Sequence, residues 1–353
     1  MKHVVMFSGG KDSHATLILV VKKYGPENVI ALFCDTLWEH EETYIHIKEV
    51  CDSLGVKLVT VTSKKYKGMV DLAVQKGRFP STKARFCTEE LKSKPAIDWV
   101  LEQTEHLLIY QGIRKDESIS RSKMLESCRY FKFYFNPYKI TGRYDSILKL
   151  SKEDLKNPNL AKTKKALLKR IEKKHNITHR DLFFHNLVKE FNQLPENRIK
   201  HFHTYRKKEV IEWTKKYADD VFRPVIDWTG QMVIDYIITN NQKPNPLYYK
   251  GMKRVGCYPC IMCTKSEIKN LAAYTPEYMQ RLKDAEITAN SSFFPPDYIP
   301  ERFRSKSDKN GKTYATATDV ENYVKRAKQT DLFEQEDLSS DRGCMSYYGI
   351  CES

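Results

Sequence analysis

Two groups of residues have the types and spacing to do chemistry. The first is Ser8-Gly9-Gly10-Lys11-Asp12-Ser13, which follows an apolar run at 4–7 and precedes a helix-like segment at 15–23. Paired glycines let the backbone approach an anion closely, and the amides of the loop and of the helix start point towards it. The serine hydroxyls add donors, Lys11 adds positive charge, and Asp12 has the chemistry to hold Mg2+ against phosphates. No Gly-Lys-Ser/Thr follows a four-residue gap, so this is not the Walker pattern. The second group is Cys257-x-x-Cys260-x-x-Cys263, whose two-residue gaps let several thiolates converge on one metal site. The chain has 9 cysteines, an odd number unevenly spaced, and residues 1–7 read as a first strand, not a secretory signal. Clustered thiols in such a chain point to metal binding or catalysis before a disulfide framework.

The elements that must position these groups alternate. Strand-like runs lie at 4–7, 29–33, 56–61 and 106–110. Helical patterns lie at 15–23 and at 41–54, where Tyr44, Ile47, Val50 and Leu54 share one face, and another helix ends at 99–103. This alternation predicts an α/β fold, a parallel sheet with helices on both faces, in which ligands sit at the carboxyl ends of the strands. Each polar motif follows a strand: the glycine loop, then Cys34-Asp35-Thr36, then Gly112-Ile113-Arg114. The pattern breaks at 139–217, read as a basic helical insertion with a narrow stripe of Leu167, Leu168 and Ile171. It resumes at Val221, with Asp227-Trp228-Thr229 opening a helix. The expected organisation is a nucleotide-binding core at 1–138 and 218–265, the insertion at 139–217, and an irregular C-terminal region at 266–353 ending in Cys344 and Cys351.

Hydrophobic residues make up 41% of the 353 and aromatics 12%, which supports a buried core. No apolar run approaches the roughly 18 residues of a membrane span, so a cytoplasmic protein with no membrane partner is expected. The net charge is +15, and 151–216 alone carries 18 Lys/Arg against 8 Asp/Glu. That asymmetry suggests a polyanionic partner, nucleic acid above all, bound through the insertion; a solvated helical surface is the plainer alternative.

The hexapeptide at 8–13 resembles the Ser-Gly-Gly-x-Asp-Ser PP-loop of ATP pyrophosphatases. Three further segments resemble the phosphoadenosine-phosphosulfate-reductase branch of that superfamily. They are Arg85-Phe86-Cys87-Thr88-Glu89-Glu90-Leu91-Lys92 with Pro95, then Gly112-Ile113-Arg114-Lys115-Asp116-Glu117-Ser118 with Arg121, and Asn245-Pro246-Leu247-Tyr248 running on through Gly251 to Arg254-Val255-Gly256-Cys257-Tyr258-Pro259-Cys260. The resemblance covers roughly 1–135 and 218–263. It implies an adenine nucleotide α-hydrolase-like fold with ATP, or a sulfonucleotide (PAPS or APS), held by Ser8, Gly9, Gly10, Lys11, Asp12, Ser13, Asp35 and Lys92. Arg114 and Arg121 would meet phosphate or sulfate oxygens with their planar forks of donors, and Asp116 would orient Arg114. Where the family often has Asp-Thr-Gly, this chain has Asp35-Thr36-Leu37. The resemblance also brings the Cys87 segment to the Cys257 segment, implying a [4Fe–4S] cluster on Cys87, Cys257, Cys260 and Cys263. A three-cysteine cluster with one iron open to sulfide, and structural zinc, remain alternatives.

Three functions follow as expectations. The first is an ATP pyrophosphatase that adenylates a substrate, nucleic acid for instance, for sulfur transfer, using Mg2+ and a sulfur-donor protein such as a cysteine desulfurase. The ATP-pyrophosphatase components of DNA phosphorothioation systems are the analogues. The second is a sulfonucleotide reductase that forms sulfite through a tail cysteine, with Cys351 as the nucleophile, although the family's tail motif is missing. The third is a non-catalytic nucleic-acid-binding module.

Overall fold

The computed structural model describes residues 1–135 and 204–326. Most of the expected insertion, together with Cys344 and Cys351, lies outside the described residues. The chain forms two compact units, one of Met1–Ser127 with Asp220–Ser353 and one of Cys128–Asp219.

The first unit is built on a parallel sheet. Strand β1 (Lys2–Met6) pairs with β2 (Val29–Cys34) on one side and β4 (Leu107–Gln111) on the other, and β2 pairs with β3 (Lys57–Val61). Strand β5 (Ser127–Arg129) lies where the chain leaves this unit, and β6 (Asp219–Phe222), where it returns, extends the order to β3-β2-β1-β4-β6. The strands are nearly continuous apolar runs because helices cover both faces, so alternation would leave buried polar groups. Successive connections leave β1 in opposite directions, towards β2 and then towards β4. That reversal opens a crevice at the carboxyl end of β1, where residues 8–13 lie.

Helix α1 (Lys11–Tyr24) and helix α2 (Glu41–Leu54) bury Leu17, Val20, Ile47 and Val50 against Val5, Phe7, Ala31 and Phe33. Helix α3 (Met69–Lys76) follows β3. The chain then passes through a short turn at Phe86–Thr88 and a π-helical turn at Glu89–Ser93 into α4 (Lys94–Leu101). In the second unit, α5 (Lys207–Thr214) supplies Val210 and Trp213 to a small aromatic core with Phe131 and Tyr134, and Asp219 accepts from Arg129 Nε (3.0 Å) and Phe131 N (2.8 Å). Back in the first unit, α6 (Gly230–Thr239) packs Val233 and Ile237 onto Ala15 and Ile18 of α1.

The described part of the C-terminal region is helical where an irregular segment was expected. Helices α7 (Lys265–Tyr274), α8 (Pro276–Ala289) and α9 (Ala317–Arg326) pack with the short hairpin β7 (Lys306–Ser307) and β8 (Thr313–Tyr314). Thr264 and Glu267 form a capping box that starts α7, each satisfying the other's backbone amide. The apolar stripe is partly alanine (Ala272, Ala285, Ala289, Ala317), so it is faint in the sequence. It still closes one core with Leu72, Phe79 and Cys87.

Two positions show how tightly the strand ends are fitted. A Cβ on Gly112, just past β4, would lie 2.4 Å from the backbone N of Ser13 and 2.5 Å from the carbonyl of Asp12. Only a glycine lets β4 come this close to the first turn of α1. Behind the loop, His14 and His46 are buried with ring centroids 5.3 Å apart. Burial lowers His14 to about 3, helped by its neighbour His46, and lowers His46 to about 4.

Gly112→Ala is expected to destabilise by about 3 kcal/mol through overpacking. Gly77→Ala, with open space around a left-handed φ of 65°, should lose only about 1 kcal/mol. Urea denaturation midpoints rank the two, and the reverse order would refute the close fit. Because both histidines fold with depressed pKa values, their contribution is complete above the unfolded value of 6.5 and is lost as pH falls towards 4 and 3. His14→Leu should therefore remove about 2 kcal/mol of the stability lost between pH 6.5 and 5. Parallel pH–stability curves for variant and wild type would contradict this.

Candidate functional site at the strand ends

Gly9 takes a left-handed φ of 72°, and a Cβ there would press to 3.0 Å from Ile47 Cγ1 and 3.1 Å from Thr43 Cγ2. The Ser13 hydroxyl donates to the Gly10 carbonyl (2.9 Å) and accepts from the Ser8 amide (3.3 Å), which folds the loop back on itself. Gly10 precedes α1 without any side-chain cap of its own, so the start of α1 turns backbone donors towards the loop.

A distant segment holds this loop in place. The Tyr248 hydroxyl accepts from the Lys11 amide (3.0 Å), and the Lys11 ammonium lies 5.2 Å from the centre of the Tyr248 ring. Asn245 Nδ2 donates to the Gly9 carbonyl (3.4 Å) and to Thr43 Oγ1 (3.3 Å), while Thr43 Oγ1 donates to the Val255 carbonyl (2.8 Å). The α2 helix, the glycine loop and residues 245–255 thus form one hydrogen-bonded clamp.

Beside the loop, Arg114 is 5% exposed and lies between two carboxylates: its Nε donates to Asp12 Oδ1 and its Nη1 to both oxygens of Asp116 at 2.5 Å. The Arg114 amide donates to Glu117 (3.0 Å), whose carboxylate also pairs with Arg121. The structure therefore brings Asp12, Arg114 and Asp116 into one network and engages Arg121 with Glu117 rather than with the loop.

At the end of β2, Asp35 Oδ1 accepts from the Leu37 amide and from the Tyr44 hydroxyl, both at 2.7 Å. Leu37 has φ 54°, the left-handed conformation that glycine would adopt freely, so the turn keeps its shape without the residue suited to it. The cysteine segment is stitched to this turn. Trp38 Nε1 donates to the Pro259 carbonyl (3.0 Å), the Tyr258 amide donates to the Trp38 carbonyl (2.8 Å), and Glu39 and Cys257 form an antiparallel bridge. Arg281 of α8 stacks 4.1 Å over Trp38 and donates to the carbonyls of Leu37 (2.9 Å) and Glu39 (3.1 Å).

This stitching buries a charged cluster. Glu39, 3% exposed, accepts from Thr36 Oγ1 (2.7 Å), the Trp38 amide (3.1 Å) and the Cys257 thiol (3.8 Å). Burial holds its carboxyl above the usual range. Lys92 lies within electrostatic reach of Cys257, Glu39 and Cys260, and an ionised sulfur at Cys257 first, then Glu39, would hold it above an ordinary lysine. Burial pushes Cys257 and Cys34 up to about 12 and raises Cys87 and Cys263 as well. Cys260 lies within electrostatic reach of Cys87, Cys257 and Cys263. Among the described residues, however, no three Cys, His, Asp or Glu side chains close on one point as a single ion requires. Buried thiols that resist ionisation are suited to positive charge, which Lys92 supplies in part and which iron or zinc would supply further.

Sequence reasoning did not single out Glu39, Asn245, Tyr248 or Arg281. Asn245 and Tyr248 stood in a recognisable motif. Glu39 and Arg281 carry no local signal, because what buries the one (Cys257) and anchors the other (the turn at 37–39) comes from more than 200 residues away. Cys351 lies outside the described residues.

A parallel sheet whose order reverses at an uncapped, glycine-rich strand end defines an α/β protein of the kind that takes its ligand at that edge. Residues 2–130 and 198–263, over half of the chain, match the phosphoadenosine phosphosulfate reductase domain, and the chain belongs to that family. Membership supports a nucleotide-binding enzyme of sulfur metabolism. A 37.8 kDa uncharacterized protein of Escherichia phage 186 is 25% identical over 355 residues, spanning 85% of this chain and 81% of the phage protein. An uncharacterized protein of Methanocaldococcus jannaschii is 23% identical across 79% of this chain, which spans only 40% of that relative. An adenosine 5'-phosphosulfate reductase of Neisseria meningitidis is 38% identical over 47 residues, 13% of this chain and 19% of that enzyme. Among solved structures, the phosphate complex of phosphoadenylyl-sulfate reductase from Candida auris is similar over 74% of this chain and 83% of its own, with a TM-score of 0.39 at 12% identity. No helix among the described residues is long and apolar enough to cross a membrane.

Proposed function

We propose that this chain is a PP-loop enzyme that cleaves ATP at the α-phosphorus, adenylates an acceptor and prepares it for sulfur transfer. The observation that carries this reading is the Asp12–Arg114–Asp116 network beside the uncapped start of α1. A single guanidinium between two carboxylates, next to the glycine loop at a helix start, suits a polyphosphate that arrives with its own divalent cation. Asp12 has the donor chemistry to take Mg2+, which supplies charge neutralisation on the phosphates. Released from Asp12, the Arg114 fork is free for phosphate oxygens. A sulfonucleotide arriving without metal would instead meet two carboxylates at the same place.

In this reaction an acceptor oxygen bonds to the α-phosphorus and the α–β phosphoanhydride bond breaks. The oxygen's proton passes to solvent and pyrophosphate leaves. A sulfur-donor protein such as a cysteine desulfurase would supply a persulfide whose outer sulfur displaces AMP from the adenylated acceptor as the carbon–oxygen bond breaks, and a second thiol would then cleave the resulting S–S bond, freeing the sulfurated acceptor and ending as a disulfide. Loop amides, Ser8 and Lys11 hold the leaving pyrophosphate. Cys87, Cys257, Cys260 and Cys263 have the donor set for a [4Fe–4S] cluster, which takes one thiolate per iron and so tolerates sulfurs spread around Cys260 better than a single zinc ion does. Held by all four, a cluster would supply electron-transfer chemistry; held by three, it would leave one iron open to sulfide. Lys92, in contact with Cys257, would lend it positive charge.

The test uses protein purified without oxygen. It is incubated with Mg2+, ATP and mixed nucleic acid, and in parallel with adenylyl sulfate or its 3'-phosphate plus a thiol reductant. AMP and pyrophosphate from ATP, lost by at least 100-fold in Asp12→Ala, are expected, since one well-placed electrostatic group is worth about 100-fold or more. Sulfite from the sulfonucleotides with ATP left intact would instead make the chain a reductase, and turnover of neither would leave a binding module. For the thiol group, Cys260→Ser should bleach visible absorbance near 400 nm and lower iron content (on the order of 4 per chain in a cubane cluster). An unchanged spectrum and iron content would end the cluster assignment.

A further inference from the structure

A groove of about 960 Å3 opens between the C-terminal end of α8, the β7–β8 hairpin and residues 78–81. It is remote in sequence from the basic insertion, and neither the loop nor the thiol cluster uses its residues. Five cations line it, and four stand apart from the ion pair that holds Lys283: Arg78 on one wall, and Lys306, Lys309 and Lys312 on the hairpin. All four are exposed, and none forms an ion pair among the described residues. The groove's two acids are otherwise engaged. Glu286 accepts from the amides of Phe293 (2.7 Å) and Ala317 (2.8 Å), and Asp308 accepts from those of Asn310 (2.8 Å) and Lys312 (3.0 Å). Lys283, also in the lining, is held by Glu321 at 2.5 Å. The remaining positive charge has hydroxyl donors around it, Ser81 and Ser307 among them.

One wall of the groove runs on in the chain into the segment that carries Cys87. Arg78 lies 5.5 Å from the centre of the Phe86 ring, and Phe86 precedes Cys87. Between them the chain makes a tight turn at Ser81–Ala84, closed by reciprocal backbone hydrogen bonds of 3.1–3.2 Å, and the exposed cations Lys83 and Arg85 continue the basic track.

We propose that this groove binds the sugar–phosphate backbone of a nucleic-acid strand and leads it to the strand-end site. Unpaired cations on both walls, interspersed with hydroxyls, match repeating phosphates, and a channel of this volume accepts a single strand more readily than a duplex. The proposal names the acceptor class of the adenylation reaction and rests on that reading only for what is done to the bound strand; the binding itself stands apart from it.

The test is fluorescence anisotropy with labelled 20-nucleotide single-stranded DNA and RNA, titrated with the full chain at several salt concentrations. Arg78→Glu/Lys309→Glu/Lys312→Glu is compared with the charge-matched control Lys22→Glu/Lys48→Glu/Lys57→Glu, whose three lysines are exposed on another part of the fold. The milder Lys309→Gln/Lys312→Gln pair covers the case in which the triple variant melts early. The groove variant should bind at least 10-fold more weakly, with a salt slope shallower by about 2, since each lost contact to a single strand removes about 0.7. The control should keep most of its affinity. Equal losses in groove and control variants, or no binding by wild type, would overturn the proposal. Ten-fold tighter binding of polyglutamate than of either oligonucleotide would overturn it in favour of an acidic protein partner. ATP cleavage is measured alongside with oligonucleotide near the wild-type Kd, and should fall with strand binding in the groove variant but not in the control. Loss of strand binding in a protein that cleaves no ATP would sink the adenylation reading and leave the groove intact.

Discussion

The strand-end site depends on a clamp made by residues far away in the chain. A glycine-rich turn at the end of β1 has backbone groups to satisfy and, beyond the Ser13 hydroxyl, few side chains to fix its shape. Asn245 and Tyr248 provide both, through the Gly9 carbonyl and the Lys11 amide, and Thr43 ties them to α2. Glycine at 112 then lets β4 close against the start of α1. Without the clamp the loop would be an ordinary flexible turn, and the amides at the helix start would not converge. The order of events in folding follows from this: parallel pairing of β1 with β2 and β4 can form from the first third of the chain, but the site can exist only after residues beyond 240 have docked.

Charge in the site is arranged by pairing. Arg114 and Arg121 each have carboxylate partners, and Lys92 sits against Cys257 and Glu39. A buried cation without such partners would be costly, and so would the carboxylates and thiols. The arrangement keeps opposite charges in contact until a ligand exchanges one partner for another. Specificity would then depend on whether the incoming group can satisfy both the donors it engages and the acceptors it frees.

Much of the fold was legible in the sequence, because strands and helices alternate with strong periodicity as far as residue 111 and the glycine loop falls directly after a strand. The motif at 245–260 was readable as a unit, and its docking at residues 36–43 is visible only in three dimensions. Glu39 looked like one acid among Glu39, Glu41 and Glu42; its burial comes from Cys257, Thr36 and Tyr44 closing over it. The i,i+4 spacing of Glu117 and Arg121 was a local signal for the pair they form. The helices beyond 264 were obscured for a different reason. Their buried stripes rest on alanines and widely spaced large residues among many charges, which blunts the helical period even though the packing is tight.

Arg281 lies outside the stretch shared with the family, yet it caps Trp38 and holds two carbonyls of the turn after β2. Likewise the carbonyl of Cys263, the last residue of that stretch, accepts from the hydroxyl of Tyr298 (3.2 Å). The boundary marked by shared ancestry is therefore not a seam in the folded molecule. The C-terminal helices share one buried core with Leu72, Phe79 and Cys87, so loosening them would be felt at the strand ends. What marks a family in a sequence and what holds its site in order in the folded chain need not end at the same residue.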